Sequence, residues 1–226
     1  MIPWGDPMSP VLSIDRARAV YDRIGALQDT QQFYERAAVD AMIAHADLGA
    51  AQSVFELGCG TGRIAEQLLA HHLPATARYH GVDLSSTMVR LASARLARFG
   101  ARASISQSSG SMVIAAEPRS VDRCLSTYVL DLLPDESIRQ FLAECQRVLA
   151  PGGRLCLTSL APGKRGVSRV VSTVWSRVQA FAPNLVGGCR PVDLPAYLSP
   201  EWTVRYSGLV VSWGVASRVL VATAGD

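Results

Sequence analysis

Glu56, Gly58, Gly60, Gly62 and Asp83 are the residues whose types and spacing suggest a binding chemistry. Three glycines alternate directly after the apolar run 53–57. The helical pattern Ile64-Ala65-Glu66-Gln67-Leu68-Leu69 follows them. That order reads as a strand, a tight turn and a helix start. Glycines remove the Cβ atoms where a ligand must approach the main chain. The first amides of the helix would point at the same ligand. The order G-x-G-x-G differs from the G-x-G-x-x-G of dinucleotide sites. No Lys-Ser or Lys-Thr pair closes the turn, so it is not a phosphate-cradling loop. The run 78–83 reads as a second strand ending in Asp83, about 20 residues further on, where α/β nucleotide sites keep a ribose-binding acid.

The elements around these residues follow from periodicity. Residues 1–13 are Pro-rich, and a helical pattern from Ile14 to Ile24 carries Tyr21. A second helix is expected from Thr30, its N-cap, to Ala46, with Phe33, Ala37, Ala38, Ala41 and Met42 on one face. The helix after the glycines is expected to reach about His72. Ser85 or Ser86 caps the next one, with Met88, Leu91, Ala92 and Leu96 inward. Further strands are expected at 103–107, 121–127 and 154–160. Asp135 is expected to cap a helix with Ile138, Phe141, Leu142 and Val148 inward, stopped by Pro151-Gly152-Gly153. Alternating strands and helices of this length imply a mainly parallel sheet covered on both faces.

Residues 161–200 break the alternation. After a loop, Val167, Val170, Val171, Val174, Trp175, Val178 and Phe181 form an apolar stripe beside Arg165, Arg169 and Arg177. This is a basic amphipathic helix, fit to pack on the sheet, to line an acceptor pocket or to touch a membrane surface. Two strands are expected at the end, 202–211 and 216–222.

Composition narrows the class. A chain of 226 residues, 49% apolar and 18% charged, is one folded α/β domain. Its parts are N-terminal helices (1–48), a binding core (49–160), an acceptor lid (161–200) and edge strands (201–226). The net charge of +3 gives no dense basic patch for nucleic acid. Five scattered cysteines without a C-x-x-C pair argue against a zinc site or a disulfide framework and suit a reducing, cytoplasmic setting. No apolar run has transmembrane length.

The runs Glu56-Leu57-Gly58-Cys59-Gly60-Thr61-Gly62 and Gly81-Val82-Asp83-Leu84-Ser85 resemble the class I S-adenosylmethionine-dependent methyltransferases. Residues 121–134 and 149–155 resemble that family's fourth and fifth motifs. The resemblance implies a Rossmann-like, doubly wound, mainly parallel seven-stranded sheet with an antiparallel last strand, N-terminal helices and a helical lid. It implies S-adenosylmethionine as cofactor and no metal. Cofactor contacts are expected from Tyr21, Glu56, Gly58, Cys59, Gly60, Gly62, Asp83, Leu84, Met88, Ser109, Ser111, Ser126 and Thr127. Tyr128 and Asp131 are the candidates beside the reacting methyl. The alternatives are helix capping for Asp83, a solvated strand end for Glu56, and packing for Tyr21 and Tyr128. The family's acid for the adenine amino group is missing near Gly110. The absent N-P-P-Tyr-type tetrad argues against methylation of nucleic-acid bases. The expected acceptor is a small, partly apolar metabolite. A quinone or phospholipid at a membrane surface is the alternative, since the chain also resembles that group of methyltransferases. A non-catalytic cofactor-binding protein is the second alternative.

Overall fold

The computed structural model describes residues 18–19, 21–22, 32–162 and 189–225. Helix α1 is Gln32–His45, α2 is Arg63–His71, α3 is Ser86–Leu96 and α4 is Asp135–Val148. The strands are β1 Ser53–Leu57, β2 Arg78–Asp83, β3 Ala103–Gln107, β4 Val121–Thr127, β5 Leu149–Leu160, β6 Trp202–Ser212 and β7 Val215–Ala224.

They form one seven-stranded sheet in the order β3-β2-β1-β4-β5-β7-β6. The first five strands are parallel, and β7 runs antiparallel to both β5 and β6. Strand order reverses between β1 and β4. The crevice for a ligand therefore lies at the carboxyl ends of these two strands. The expected sheet, with its antiparallel last strand, is the one observed.

Alternation along the strands sorts side chains into two cores. Val54, Leu125, Cys156, Val219 and Val221 face one side, under α1, α2 and α3. Phe55, Leu57, Cys124, Leu155, Leu157 and Leu220 face the other, under α4. In α4 the residues Ile138, Phe141, Leu142, Cys145 and Val148 recur at helical spacing and are all buried. Each large side chain buried this way stabilises the fold by about 1.5–3 kcal/mol.

Several local expectations are corrected. Pro134, not Asp135, is the N-cap of α4, because Asp135 already lies in the helix and its carboxylate binds Arg190 and Tyr197. Strand β5 begins at Leu149 rather than Arg154. Pro151-Gly152-Gly153 is a bulge within it: pairing jumps from Val121↔Leu149 to Arg123↔Arg154, and Gly152 has φ +74°. The buried face of α1 runs through Tyr34, Ala38 and Met42, while Ala37 is exposed. Ser85, not Ser86, caps α3 and accepts from the Met88 amide. Leu91 is only half-buried. The Thr30 cap, the Phe33 side chain and the apolar stripe 167–181 lie outside the described residues.

Candidate functional site

The turn after β1 is built on left-handed backbone. Gly58, Gly60 and Gly62 have φ of +73°, +54° and +76°, values that side chains with a Cβ resist. Packing adds a second reason at two of them. A Cβ on Gly58 would stand 2.2 Å from Val129 Cγ2, and one on Gly62 3.0 Å from the Ala92 backbone. The turn is thus pressed between the loop after β4 and helix α3.

Asp83, at the end of β2, closes the turn from the neighbouring strand. Its Oδ2 accepts the Gly60 amide at 2.9 Å, and its Oδ1 accepts the Ser85 amide at 2.9 Å. Burial pushes its pKa up, and the backbone amides oppose that shift. Each carboxylate oxygen has a second lone pair for a ligand hydroxyl. Gly81, earlier on β2, lets the strand pass Cys59: a Cβ there would lie 2.9 Å from Cys59 Cβ.

Glu56 is 1% exposed. Tyr79 donates its hydroxyl to Oε2 at 2.5 Å, and Thr127 donates to Oε1 at 3.2 Å. Burial raises its pKa to about 7, against the pull of those two hydroxyls. Both oxygens are thus engaged with neighbouring strands. Cys59 is buried, and burial drives its thiol pKa well up, so it remains a neutral packing side chain. Ser126 is fully buried and donates to the Leu57 carbonyl; Met88 is fully buried in α3. Leu84 is half-buried, and Ser109 and Ser111 are exposed.

Beyond β4 the chain turns through Tyr128, whose φ is +55°. Its hydroxyl donates to Ser217 Oγ at 2.8 Å, and its ring meets Tyr34 edge-on at 5.9 Å. Burial pushes the Tyr128 and Tyr34 phenols up, away from ionisation. Asp131 follows, 0% exposed. Burial raises its pKa to about 7, and the Glu35 charge adds to the shift. Neither of its oxygens meets a hydrogen-bond partner by distance and angle among the described residues. Its own amide, the Cys189 thiol and the Arg190 charge only offset part of the shift.

Tyr21 is half-buried, and its phenol feels Cys189, Asp131, Asp83 and Tyr34 in addition to burial. It stands within electrostatic reach of both Asp83 and Asp131. Asp22 beside it accepts from the Ser85 hydroxyl and, at 3.2 Å, from the Thr87 amide. An acid there suits the positive end of α3. Tyr34, Tyr79 and Cys189 were not singled out from the sequence. Their partners come from other elements, and no local pattern marks them. Among the described residues no helix is long and apolar enough to cross a membrane.

Residues 54–153 match the family model described as a methyltransferase domain. Trans-aconitate 2-methyltransferase of Pseudomonas paraeruginosa is 33% identical over 166 residues, covering 73% of this chain and 51% of that one. A malonyl-[acyl-carrier protein] O-methyltransferase of Hahella chejuensis is 28% identical, covering 79% and 64%. The chain therefore spans about half to two-thirds of the length of these two relatives. Among solved structures, the [4+2]-cyclase SpnF superposes with a TM-score of 0.68 at 16% identity, covering 96% of this chain and 98% of that one, a likeness of fold. With the glycine turn, the Asp83 contact and the reversal between β1 and β4, these relatives mark the chain as a member of the class I S-adenosylmethionine-dependent methyltransferases.

Proposed function

We propose that the protein moves a methyl group from S-adenosylmethionine to a small, partly apolar acceptor. One observation carries the reading: the Gly60 amide closed on Asp83 at the point where strand order reverses. Each Asp83 oxygen keeps a lone pair beyond the amide it accepts, which suits the paired hydroxyls of a ribose. Gly58, Cys59, Gly60 and Gly62 would offer main chain to the cofactor. Leu84, Ser109 and Ser111 would border the adenine, with Met88 beneath them. Tyr21, Glu56, Ser126 and Thr127 would surround the methionine end.

The cofactor supplies a methyl group already activated on a sulfonium. The residues of the protein therefore have to align the acceptor with it and keep water out, and alignment alone is a large part of such a rate enhancement. Tyr128 and Asp131 would bound the acceptor side. The relatives named for trans-aconitate, a carboxylate, and for ubiquinone biosynthesis support the small size of the acceptor and not its charge.

Titration calorimetry with S-adenosylhomocysteine tests the reading. Binding is expected, and Asp83→Asn should weaken it by about 1–3 kcal/mol, the usual loss at a charged hydrogen-bonding group. An absence of heat with the wild-type protein refutes it. A second reading, action on a quinone or phospholipid at a membrane surface, draws on the β6–β7 hairpin. Val211 and Trp213 are exposed there, at the same end of the sheet as the crevice. Co-sedimentation with liposomes supports that version, and protein left in the supernatant removes it.

A further inference from the structure

Asp131 is the buried acid in this site whose carboxylate oxygens meet no hydrogen-bond partner by distance and angle among the described residues, with the Cys189 thiol, its own amide and the Arg190 charge only easing its burial. It lies just past β4, in the loop whose Val129 presses on Gly58, so it stands next to the glycine turn. Around it are the phenols of Tyr21, Tyr34 and Tyr128, the Cys189 thiol and the Glu35 carboxylate. The Arg190 guanidinium near it is engaged through Nη2, while its Nε is buried without a hydrogen-bond partner among the described residues. Arg190 donates to the Leu133 carbonyl and to Asp135 at 2.6 Å, and Arg63 pairs with Glu35 at 3.7 Å. The phenols are neutral, since burial drives their pKa values upward. The described residues on this side thus offer hydrogen-bond acceptors and neutral hydroxyls, and the two positive charges named are each paired with a carboxylate.

A buried carboxylate without a partner is costly unless it is protonated or a ligand donates to it. A ligand carrying an O–H or N–H at its reacting end would meet that need. A second anion would raise the cost instead, since like charges sharing a buried site cannot both ionise easily. From this arrangement we infer that the acceptor is uncharged or cationic at its reacting end, carries an O–H or N–H proton that Asp131 receives, and is not a carboxylate. The inference rests on the methyl-transfer reading and names its acceptor class. A cationic acceptor first gives its proton to Asp131, which frees the lone pair; the bond from the methyl carbon to sulfur then breaks as its bond to the acceptor oxygen or nitrogen forms. Sulfur keeps the electron pair of the broken bond. The acceptor's proton passes to Asp131, whose pKa of about 7 suits a proton carrier near neutrality, and then to water.

The test is a charge ladder of probes of one shape, titrated into protein loaded with S-adenosylhomocysteine. Benzylamine and benzyl alcohol should bind at least about tenfold more tightly than benzoate, by like-charge exclusion. Benzyl methyl ether, which lacks the proton, should bind more weakly than benzyl alcohol. In Asp131→Asn the spread between amine and benzoate should collapse while the affinity for S-adenosylhomocysteine stays unchanged. Benzoate binding as tightly as benzylamine, a failure of all four probes to bind, or a ladder unchanged in Asp131→Asn overturns the inference. If the variant does not fold, the wild-type ladder decides. Failure of S-adenosylhomocysteine itself to bind is a different result: it removes the methyl-transfer reading, and the acceptor class falls with it.

Discussion

The proposed cofactor side and the proposed acceptor side hold a buried acid in different ways. At the ends of β1 and β2, Glu56 and Asp83 are held by Tyr79, Thr127, Gly60 and Ser85. Past β4, Asp131 is as deeply buried as Glu56 but meets no comparable donor among the described residues. Acids held by the protein's own hydroxyls and amides have a fixed orientation before any ligand arrives, and that suits binding the same nucleoside in every turnover. An acid without such partners is costly to keep charged, and a ligand that donates to it gains what the fold left unsatisfied. The contrast suggests that one half of the site is preorganised and the other is completed by its acceptor.

The contact that joins the halves is Val129 on Gly58. Gly58→Ala adds a methyl 2.2 Å from Val129 Cγ2 at a φ of +73°. It should destabilise the protein by about 2–5 kcal/mol, read by urea denaturation. A loss under about 1 kcal/mol would mean that the halves are not pressed together at this point.

The next test follows Asp131 by pH. Asp131 has a folded pKa of about 7 against an ordinary 3.8, so the fold binds its proton more tightly than the unfolded chain does. Stability from this group therefore falls as pH rises from about 4 to about 7. The groups that face it are Glu35, Cys189, Arg190, Tyr21, Tyr34 and Tyr128. Asp131→Asn cannot ionise, so above pH 7 it should gain about 2–4 kcal/mol relative to wild type, and this gain should vanish near pH 4. Denaturation curves at both ends of that range decide it. An equal difference at the two pH values would show that burial does not raise the Asp131 pKa.

The smallest effect concerns the N-terminal segment. Asp22→Ala removes an anion from the start of α3 and should cost about 1 kcal/mol. The Asp22 pKa is lowered, first by the Ser85 hydroxyl, so this contribution is present above the ordinary carboxylate range and lost as pH falls through it. The wild-type and variant melting temperatures should therefore converge in acid. If they stay apart, the segment is held by packing and not by this carboxylate.

The cofactor side was largely legible in the sequence because it is local. The alternating glycines, the apolar run before them and the strand ending in Asp83 each state a backbone requirement within a few residues. The acceptor side was only half legible. Tyr128 and Asp131 stand out beside the fourth motif, but Tyr34 reads as one more helical residue and Cys189 as a lone thiol. Only folding brings them to Asp131, across 97 and 58 positions of sequence respectively. The misread boundaries have the same origin. Pro151-Gly152-Gly153 signals a break, yet pairing of β5 with β4 absorbs it as a bulge. Asp135 has the chemistry of a cap, yet Arg190 and Tyr197 engage it from a later segment.

Residue order alone settled the alternation of strands and helices, the glycine corner and the acid beside it, because each depends on φ/ψ preferences and short-range periodicity. Which carboxylates have partners depended on packing. Whether a buried charge is satisfied follows from donors brought in by distant parts of the chain, and no local pattern states where those donors will stand.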